Sequence, residues 1–137
     1  MILIDSNIVM YAAGRPHPHR APCAALLERI ALEQVEAATD VEVFQEILHR
    51  YRAIGQWEKG RRAYDLARQI LRVVIPITAE VIDDARDLME RYRRLGARDA
   101  VHAAVCQLIG AEAICSYDRD FDGVIEVKRI EPEDVLS

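Results

Sequence analysis

The sequence has few cysteines, few aromatic side chains and no long hydrophobic run. Its three cysteines, Cys23, Cys106 and Cys115, fit neither a disulfide framework nor a metal-knuckle spacing, so we expect reduced thiols packed as small hydrophobic groups. No apolar segment approaches the roughly 18 residues that a membrane span requires. The first five residues contain neither a basic leader nor a cleavage site. These absences predict a soluble protein of the reducing cytoplasm that has no membrane partner.

The composition is that of an ordinary globular protein. Of the 137 residues, 51% are hydrophobic and 30% are charged, which argues against a disordered chain or a fibrous repeat. This length suits one domain with a hydrophobic core. We therefore predict a single domain over residues 1–137.

The charge is unevenly distributed along the chain. The formal net charge is -5, yet the segment 50–72 contains seven basic residues against two acids, and the segment 91–98 contains four arginines and no acid. This distribution favours a protein that collects carboxylates in one place and phosphate-binding groups around it. A pair of solvated helix faces would give the same pattern.

Short β-branched runs alternate with segments of helical periodicity. The runs that predict buried strands cover residues 2–4, 35–38, 73–77, 113–115 and 125–127. Apolar stripes at helical spacing lie in segments 23–30, 44–51, 63–70, 81–95 and 101–108. Strands separated by helices predict an α/β fold, a three-layer α/β/α sandwich with a central, mostly parallel sheet.

Residues at the predicted helix ends support these boundaries. Asp40 and Thr78 have the side chains expected of helix N-caps. Gly14, Gly96 and Gly110 fit positions just beyond helix ends.

Acidic residues lie where such a sheet binds ligands, beyond the carboxyl ends of its strands. Asp5 follows the first predicted strand, Asp118 closely follows the strand at 113–115, and Asp99 begins the helix that leads into it. Either Glu42 or Glu46 could join them from the helix after the second strand. Each acid also has a structural alternative: a turn at Asp5, a helix cap at Asp99, an Asx-turn at Asp118, or an ion pair between Glu46 and Arg50.

Several carboxylates converging at one point suit a divalent cation. Mg²⁺ and Mn²⁺ prefer oxygen ligands, and without a cation such a cluster would repel itself. One or two ions in the cluster would position water for attack on a phosphodiester. That reaction requires no serine, cysteine or histidine nucleophile.

Four motifs in register point to a known family. They are Ile4-Asp5-Ser6-Asn7, Val43-Phe44-Gln45-Glu46-Ile47-Leu48, Arg98-Asp99-Ala100-Val101-His102-Ala103-Ala104 and Ser116-Tyr117-Asp118-Arg119-Asp120-Phe121. In order, spacing and flanking residues the chain resembles PIN domains, and more narrowly the toxin ribonucleases of the VapC type. The resemblance extends from Met1 to about Pro132.

The resemblance implies a role for each matching residue. It selects Glu46 over Glu42, and it implies that four acids bind Mg²⁺ or Mn²⁺ and activate water for RNA cleavage: Asp5, Glu46, Asp99 and Asp118. Asp120 is a further candidate metal ligand. Ser6, Asn7 and Ser116 would support the acids through hydrogen bonds.

The resemblance also implies partners. It implies that the chain forms a homodimer and that a small antitoxin covers the crevice. We expect the antitoxin to bind a hydrophobic groove near residues 26–30 and 54–66.

Four basic side chains are expected to rim the acidic crevice and hold RNA: Arg50, Arg52, Arg94 and Arg98. The RNA would be single-stranded or in a loop, because an A-form duplex hides its base edges. His102, one turn into the Asp99 helix, is expected to bond to nearby backbone.

The leading hypothesis is therefore a metal-dependent endoribonuclease, the toxin of a type II toxin–antitoxin pair. The first alternative is a catalytically silent PIN-like module that binds RNA or protein. The second is a magnesium-dependent phosphotransfer domain. It is disfavoured because Asp5 is followed by Ser6 and Asn7 rather than by a second acid.

Overall fold

The computed structural model describes residues 1–137 as five short strands, seven α-helices and one 3₁₀ helix. The strands are β1 (Ile2–Ile4), β2 (Ala37–Asp40), β3 (Val74–Ile75), β4 (Ala113–Cys115) and β5 (Arg129–Ile130). The α-helices are α1 (Ser6–Ala13), α2 (Arg20–Ala31), α3 (Val41–Ala53), α4 (Trp57–Ile70), α5 (Ala79–Arg91), α6 (Ala97–Ile109) and α7 (Pro132–Leu136). The 3₁₀ helix spans Arg119–Gly123.

The five strands form one parallel sheet in the order β3-β2-β1-β4-β5. The central strand β1 pairs on one side with β2, where Leu3 lies opposite Ala38, and on the other with β4, where Leu3 lies opposite Ile114. Because all strands run the same way, their carboxyl ends meet at one edge. Asp5, Asp40 and Ser116 all lie at this edge.

Side chains that alternate along β1 divide the core into two halves. Ile2 and Ile4 pack with residues of α1 to α4, whereas Leu3 packs on the other face with residues of α5 and α6. The sheet is thus covered by helices on both faces, as the α/β/α prediction requires. That prediction is confirmed.

Four of the five predicted helix boundaries are confirmed and one is wrong. Gly14 is the C-cap of α1. The side chains of Asp40 and Thr78 accept hydrogen bonds from the first turns of α3 and α5, and Gly110 ends α6 in the left-handed conformation. Gly96 does not end a helix, because α5 already stops at Arg91 and Gly96 is the N-cap of α6.

The predicted strand at 125–127 is wrong, and the strand at 35–38 is shifted. Ile125 is 90% exposed, and β5 forms only at Arg129–Ile130, where the Ser116 amide donates to the Ile130 carbonyl. The second strand begins at Ala37 and continues to Asp40. Short apolar runs show that a segment is buried, but they do not give the register of its backbone hydrogen bonds.

The three cysteines are unpaired and buried, which confirms the prediction of thiols packed as small hydrophobic groups. Burial raises the pKa of Cys23 and of Cys106 to about 12, so the reactive thiolate is scarce at neutral pH. None of the helices has both the length and the apolar character needed to cross a bilayer.

The α3–α4 hairpin depends on a glycine at position 60. A Cβ atom built on Gly60 would lie 2.4 Å from the Cβ of Tyr51, and the Tyr51 side chain cannot rotate its own Cβ away. We predict that Gly60→Ala lowers the free energy of unfolding by about 2 kcal/mol, since the overpacking outweighs the gain in helix propensity.

Chemical denaturation would measure this change, with Gly123→Ala as the control because nothing lies within 4 Å of its added Cβ. Equal stabilities of the two variants would contradict the packing argument.

Candidate active site

Asp5 lies at the centre of the sheet edge, directly after β1, and it is only 4% exposed. Its Oδ1 accepts the Ser6 amide at 2.7 Å, and its Oδ2 accepts the Ser116 hydroxyl at 2.6 Å. Two neighbouring strands thus fix this carboxylate, because Ser116 follows β4. Ser6 and Ser116, which are predicted to support the acids through hydrogen bonds, thus both donate to Asp5.

Asn7 and Ser116 extend the support around Asp5. The Asn7 side-chain amide donates to the Ser116 hydroxyl oxygen at 3.0 Å and to Asp5 Oδ2 at 3.4 Å. The Ser116 hydroxyl oxygen also accepts the Asp118 amide at 2.9 Å. The loop after β4 is therefore tied to the start of α1.

Glu46 reaches the same place from α3. The Ser6 hydroxyl donates to Glu46 Oε2, and Glu46 Oε1 lies 2.8 Å from His102 Nε2. Ser6 therefore joins α3 to the end of β1. Glu42 makes no such contact, which agrees with the choice of Glu46.

His102 is a buried bridge between two acids, contrary to the expectation that it bonds to backbone. Its ring is 1% exposed, and its Nδ1 lies 2.6 Å from Oδ2 of the fully buried Asp40. Its other nitrogen faces Glu46 and also lies 3.6 Å from Asp5 Oδ1. Two carboxylates that need a donor stabilise a doubly protonated ring here.

The His102 bridge changes the acid–base character of its neighbours. Burial opposes the charged form of His102, but the hydrogen bonds that its ring donates to Asp40 and Glu46 raise its pKa well above the usual histidine value. Burial likewise opposes ionisation of Glu46, but the hydrogen bond and charge of His102 lower the pKa of this carboxyl overall. Glu46 is therefore ionised although it is largely buried.

Asp5 behaves differently from Glu46. Burial raises the pKa of Asp5, and the charge of Glu46 adds to this, while His102 and Ser116 act in the opposite direction. Positive charge brought close to Asp5 would therefore favour its ionised form.

A second acidic group lies beside the first. Side-chain oxygens of Asp99, Asp118 and Asp120 lie within 4.8 Å of one another, and Asp118 also caps the 3₁₀ helix by accepting the Asp120 amide. Burial and the charges of Asp118 and Asp5 raise the pKa of Asp99 to about 7. Asp99 lies in the first turn of α6, whose N-cap is Gly96, so Asp99 is not the cap of that helix.

The predicted acids thus assemble at one edge of the sheet, as two adjoining groups. Asp5 and Glu46 share the first group with His102, and Asp99, Asp118 and Asp120 form the second. The two groups interact, because the Asp5 charge acts on Asp99.

The four predicted arginines have different surroundings. Arg98 lies close enough to Glu46 for its charge to act on that carboxyl. Arg50 follows Glu46 by one turn of α3 and lines a neighbouring cleft. The Arg52 guanidinium lies over the Trp57 ring at 4.3 Å, and Arg94 is exposed in the loop between α5 and α6.

The donor set fits a hard divalent cation. All five predicted ligands offer carboxylate oxygens, and burial raises the pKa of both Asp5 and Asp99. A bound Mg²⁺ or Mn²⁺ would favour their ionised forms. The residues that would hold the ion are Asp5, Glu46, Asp99 and Asp118, with Asp120 at the exposed side.

Comparison with known proteins agrees with this arrangement. Residues 2–126 match the model of the PIN domain. The chain belongs to the PIN-domain family. It is 42% identical over 130 residues to VapC ribonuclease Mb1869c of Mycobacterium bovis, which covers 95% of this chain and 99% of that protein. Ribonuclease VapC23 of Mycobacterium tuberculosis is 37% identical over 86% of this chain and 93% of its own. The resemblance to VapC-type ribonucleases is confirmed.

Solved structures share the fold of this PIN domain. VapBC2 from Rickettsia felis, bound to a DNA fragment from its promoter, matches with a TM-score of 0.76 at 18% identity over 96% of this chain and 98% of that chain. Mycobacterium tuberculosis VapC20, described as a toxin that cleaves the sarcin–ricin loop, matches with a TM-score of 0.74 at 16% identity, over 93% and 98% of the two chains.

The sequence interpretation missed Asp40 and the true setting of His102. The sequence pattern predicts only a helix cap at Asp40, whereas in the structure Asp40 both caps α3 and contacts His102. The sequence does indicate that His102 lies near the acids, because it follows Asp99 by three residues and the two therefore share one face of α6. Nothing in the sequence pairs it with Asp40.

Removing the Asp99 charge should stabilise the PIN domain when no metal is bound. The raised pKa of Asp99 means that the folded protein holds its proton more tightly than the unfolded chain does, so wild-type stability falls as the pH rises from about 4 to about 7. We predict that the free energy of unfolding of Asp99→Asn is about 1 to 2 kcal/mol higher than that of wild type at pH 8. This is less than the full pKa difference would give, because the side chain is partly exposed and solvent screens its charge.

Denaturation in EDTA at pH 8 and pH 4.5 would measure this effect, which should nearly vanish at the lower pH. A variant that is less stable than wild type at pH 8 would contradict it.

Removing the His102 ring should have the opposite effect. We predict that His102→Gln costs about 3 to 5 kcal/mol, because Asp40 and Glu46 lose the buried cation between them. The raised pKa makes this contribution complete below pH 6.5, and it declines as the pH rises through the folded value.

Urea denaturation across this pH range would test the prediction, with the exposed His49→Gln as the control. If the stability lost in His102→Gln relative to wild type grew as the pH rose, the prediction would be wrong.

Proposed function

We propose that this PIN domain is a Mg²⁺- or Mn²⁺-dependent endoribonuclease and the toxin of a type II toxin–antitoxin pair. One observation carries the proposal: five carboxylates from separate parts of the chain meet at the sheet edge of a protein 42% identical to a VapC ribonuclease. Burial raises the pKa of both Asp5 and Asp99, which supports a bound cation at this site.

The side chains around the acids perform the positioning. When bound, Mg²⁺ or Mn²⁺ would neutralise phosphate charge and favour ionisation of water for attack on the phosphodiester. Ser6 and Ser116 hold the two oxygens of Asp5 in fixed directions. His102 keeps Glu46 ionised and directs one of its oxygens, while the Ser6 hydroxyl directs the other.

The substrate would be single-stranded RNA or a loop. Asp99, Asp118 and Asp120 are only partly buried or exposed, so the second acidic group is open to a phosphodiester. Arg98 and Arg50 flank the Glu46 side of the site, where they would bind the RNA backbone. Arg52 and Arg94 would bind further phosphates of the same strand.

Two other functions are less well supported. A silent binding module would not need four intact acids at the sheet edge, nor the hydrogen bonds that fix Asp5. A phosphotransfer domain would use Asp5 as a nucleophile, yet both Asp5 oxygens already accept hydrogen bonds from Ser6 and Ser116.

We further propose a small antitoxin as partner, together with a homodimer, in the cytoplasm. Structural neighbours include VapBC2 from Rickettsia felis and a toxin–antitoxin complex from Klebsiella pneumoniae. Part of the expected groove is closed, because Leu26, Leu27 and Ile30 are buried in the core. The open part lies along α4, where Leu66 is 42% exposed beside Ala63 and Ala13.

The direct test is cleavage of single-stranded RNA with and without Mn²⁺. We predict that Asp5→Asn and Asp99→Asn each lower the cleavage rate by at least about a hundredfold, because each removes an oxygen donor that the cation and water need. Both variants should keep the circular dichroism spectrum of the wild type.

Asp83→Asn serves as the control, since Asp83 is an exposed acid on α5 away from the site, and it should cleave like wild type. Undiminished cleavage by both site variants would reject the assignment. A phosphorylated Asp5 trapped with a phosphodonor would favour the phosphotransfer alternative.

A further inference from the structure

A separate cleft of about 560 Å³ opens next to the acidic site. We call it the basic cleft, and its defining residues are Asn7, Tyr11, Arg15, His17, Arg50 and Lys59. None of the residues that line it is acidic. In a chain with a net charge of -5, a cavity lined by three cations and no acid is selective for an anion.

The cations of this cleft are not neutralised by the protein itself. Arg15, Arg50 and Lys59 form no ion pair, whereas Arg61, Arg72 and Arg129 each pair with a carboxylate. Unpaired basic side chains in a concave surface are available to bind phosphate.

The basic cleft lies one helical turn from the acids, on two helices at once. On α1, Asn7 contacts Asp5, and Tyr11 follows it by four residues. On α3, Glu46 belongs to the acidic site, and Arg50 follows it by four residues. Four residues of helix advance roughly 6 Å, so the cleft begins about one nucleotide step from the carboxylates.

Aromatic rings form one wall of the basic cleft. The rings of Tyr11 and His17 lie 4.7 Å apart, and the His19 ring, which contacts both, stacks on Tyr117 at 3.6 Å. The Tyr117 amide donates to the Asn7 side chain, which joins this cluster to the acidic site. Tyr11 is half-buried and His17 is exposed, so the wall offers ring surface to a ligand.

We propose that the basic cleft binds the nucleotide next to the scissile phosphodiester of a single-stranded RNA. The base packs against Tyr11 and His17, and the adjoining phosphate is bound by Arg50 and Lys59. Stacking on an aromatic side chain accepts any base, and a flexible strand is required because a base within a duplex cannot reach the wall. This inference rests on the proposed ribonuclease function and assigns its substrate-binding subsite.

The chain offers a matched pair of variants, because Lys59 and Lys128 are its two lysines. Lys59 lies in the basic cleft, and Lys128 is exposed just before β5, at the other side of the sheet. The probe is a fluorescently labelled octanucleotide RNA of mixed sequence, titrated in EDTA so that it is not cleaved. Lys59→Ala should weaken binding severalfold and lower the slope of log affinity against log salt by about 0.7, and Lys128→Ala should change neither.

The aromatic wall is tested by two changes at one position. Tyr11→Leu should weaken binding of the same RNA by about fivefold or more, and Tyr11→Phe, which keeps the ring, should retain it. Urea denaturation of both variants separates a lost stacking surface from a damaged fold. In Mn²⁺, Lys59→Ala should raise KM with little change in kcat, because Lys59 does not touch the acids.

Lysine acetylation read by mass spectrometry gives an independent test on the unmodified protein. The octanucleotide should protect Lys59 from the reagent and leave Lys128 reactive.

If the wild type cleaves RNA but Lys59→Ala and Tyr11→Leu bind it as tightly as Lys128→Ala does, the subsite is wrong and the ribonuclease function stands. Protection of Lys59 by an acidic peptide but not by RNA would overturn the proposal in favour of a protein partner. If the wild type neither binds nor cleaves RNA, the ribonuclease function itself fails.

Discussion

Repulsion between carboxylates packed at one edge of a parallel sheet is the constraint that the rest of this site depends on. Part of that charge is neutralised within the protein, because the buried His102 lies between Asp40 and Glu46 and close to Asp5. The group formed by Asp99, Asp118 and Asp120 has no such cation, and Asp99 retains its proton up to about neutral pH. One half of the site is thus balanced by an imidazolium, and the other half is left for a metal ion.

The fold holds three of these acids in place by using them as helix caps. Asp5 directly follows the central strand and is the N-cap of α1, Asp40 is at once the end of β2 and the N-cap of α3, and Asp118 caps the 3₁₀ helix after β4. Residues that already serve as caps have fixed side chains, so their charges are oriented without further loss of conformational freedom. The cations that would bind RNA lie outside this cluster. Arg50 and Lys59 face a cleft without acids, where they cannot be neutralised by the carboxylates.

Much of the architecture was predictable from patterns of short range. The apolar runs at 2–4 and 113–115, the cap at Thr78 and the left-handed Gly110 depend on neighbouring residues only, and the structure agrees with them. The prediction at 125–127 failed because burial of Val124 and Val127 arises from packing against α6, while the backbone pairs with β4 only from Arg129 onward. Register across a sheet depends on the partner strand, which a local pattern does not contain.

The sequence by itself determined the α/β class, the reduced cysteines and, through four motifs in register, the acids that meet at the sheet edge. The class and the cysteines follow from local periodicity and residue chemistry, whereas the choice of acids rests on the resemblance of the four motifs to PIN domains. Only the tertiary structure decided that His102 binds Asp40 across 62 residues, that the acids divide into two groups, and that basic side chains from the α1–α2 loop, α3 and α4 line an acid-free cleft. The physical reason is that a side chain's charge state depends on the burial and the charged groups around it, and these are set by elements distant in sequence.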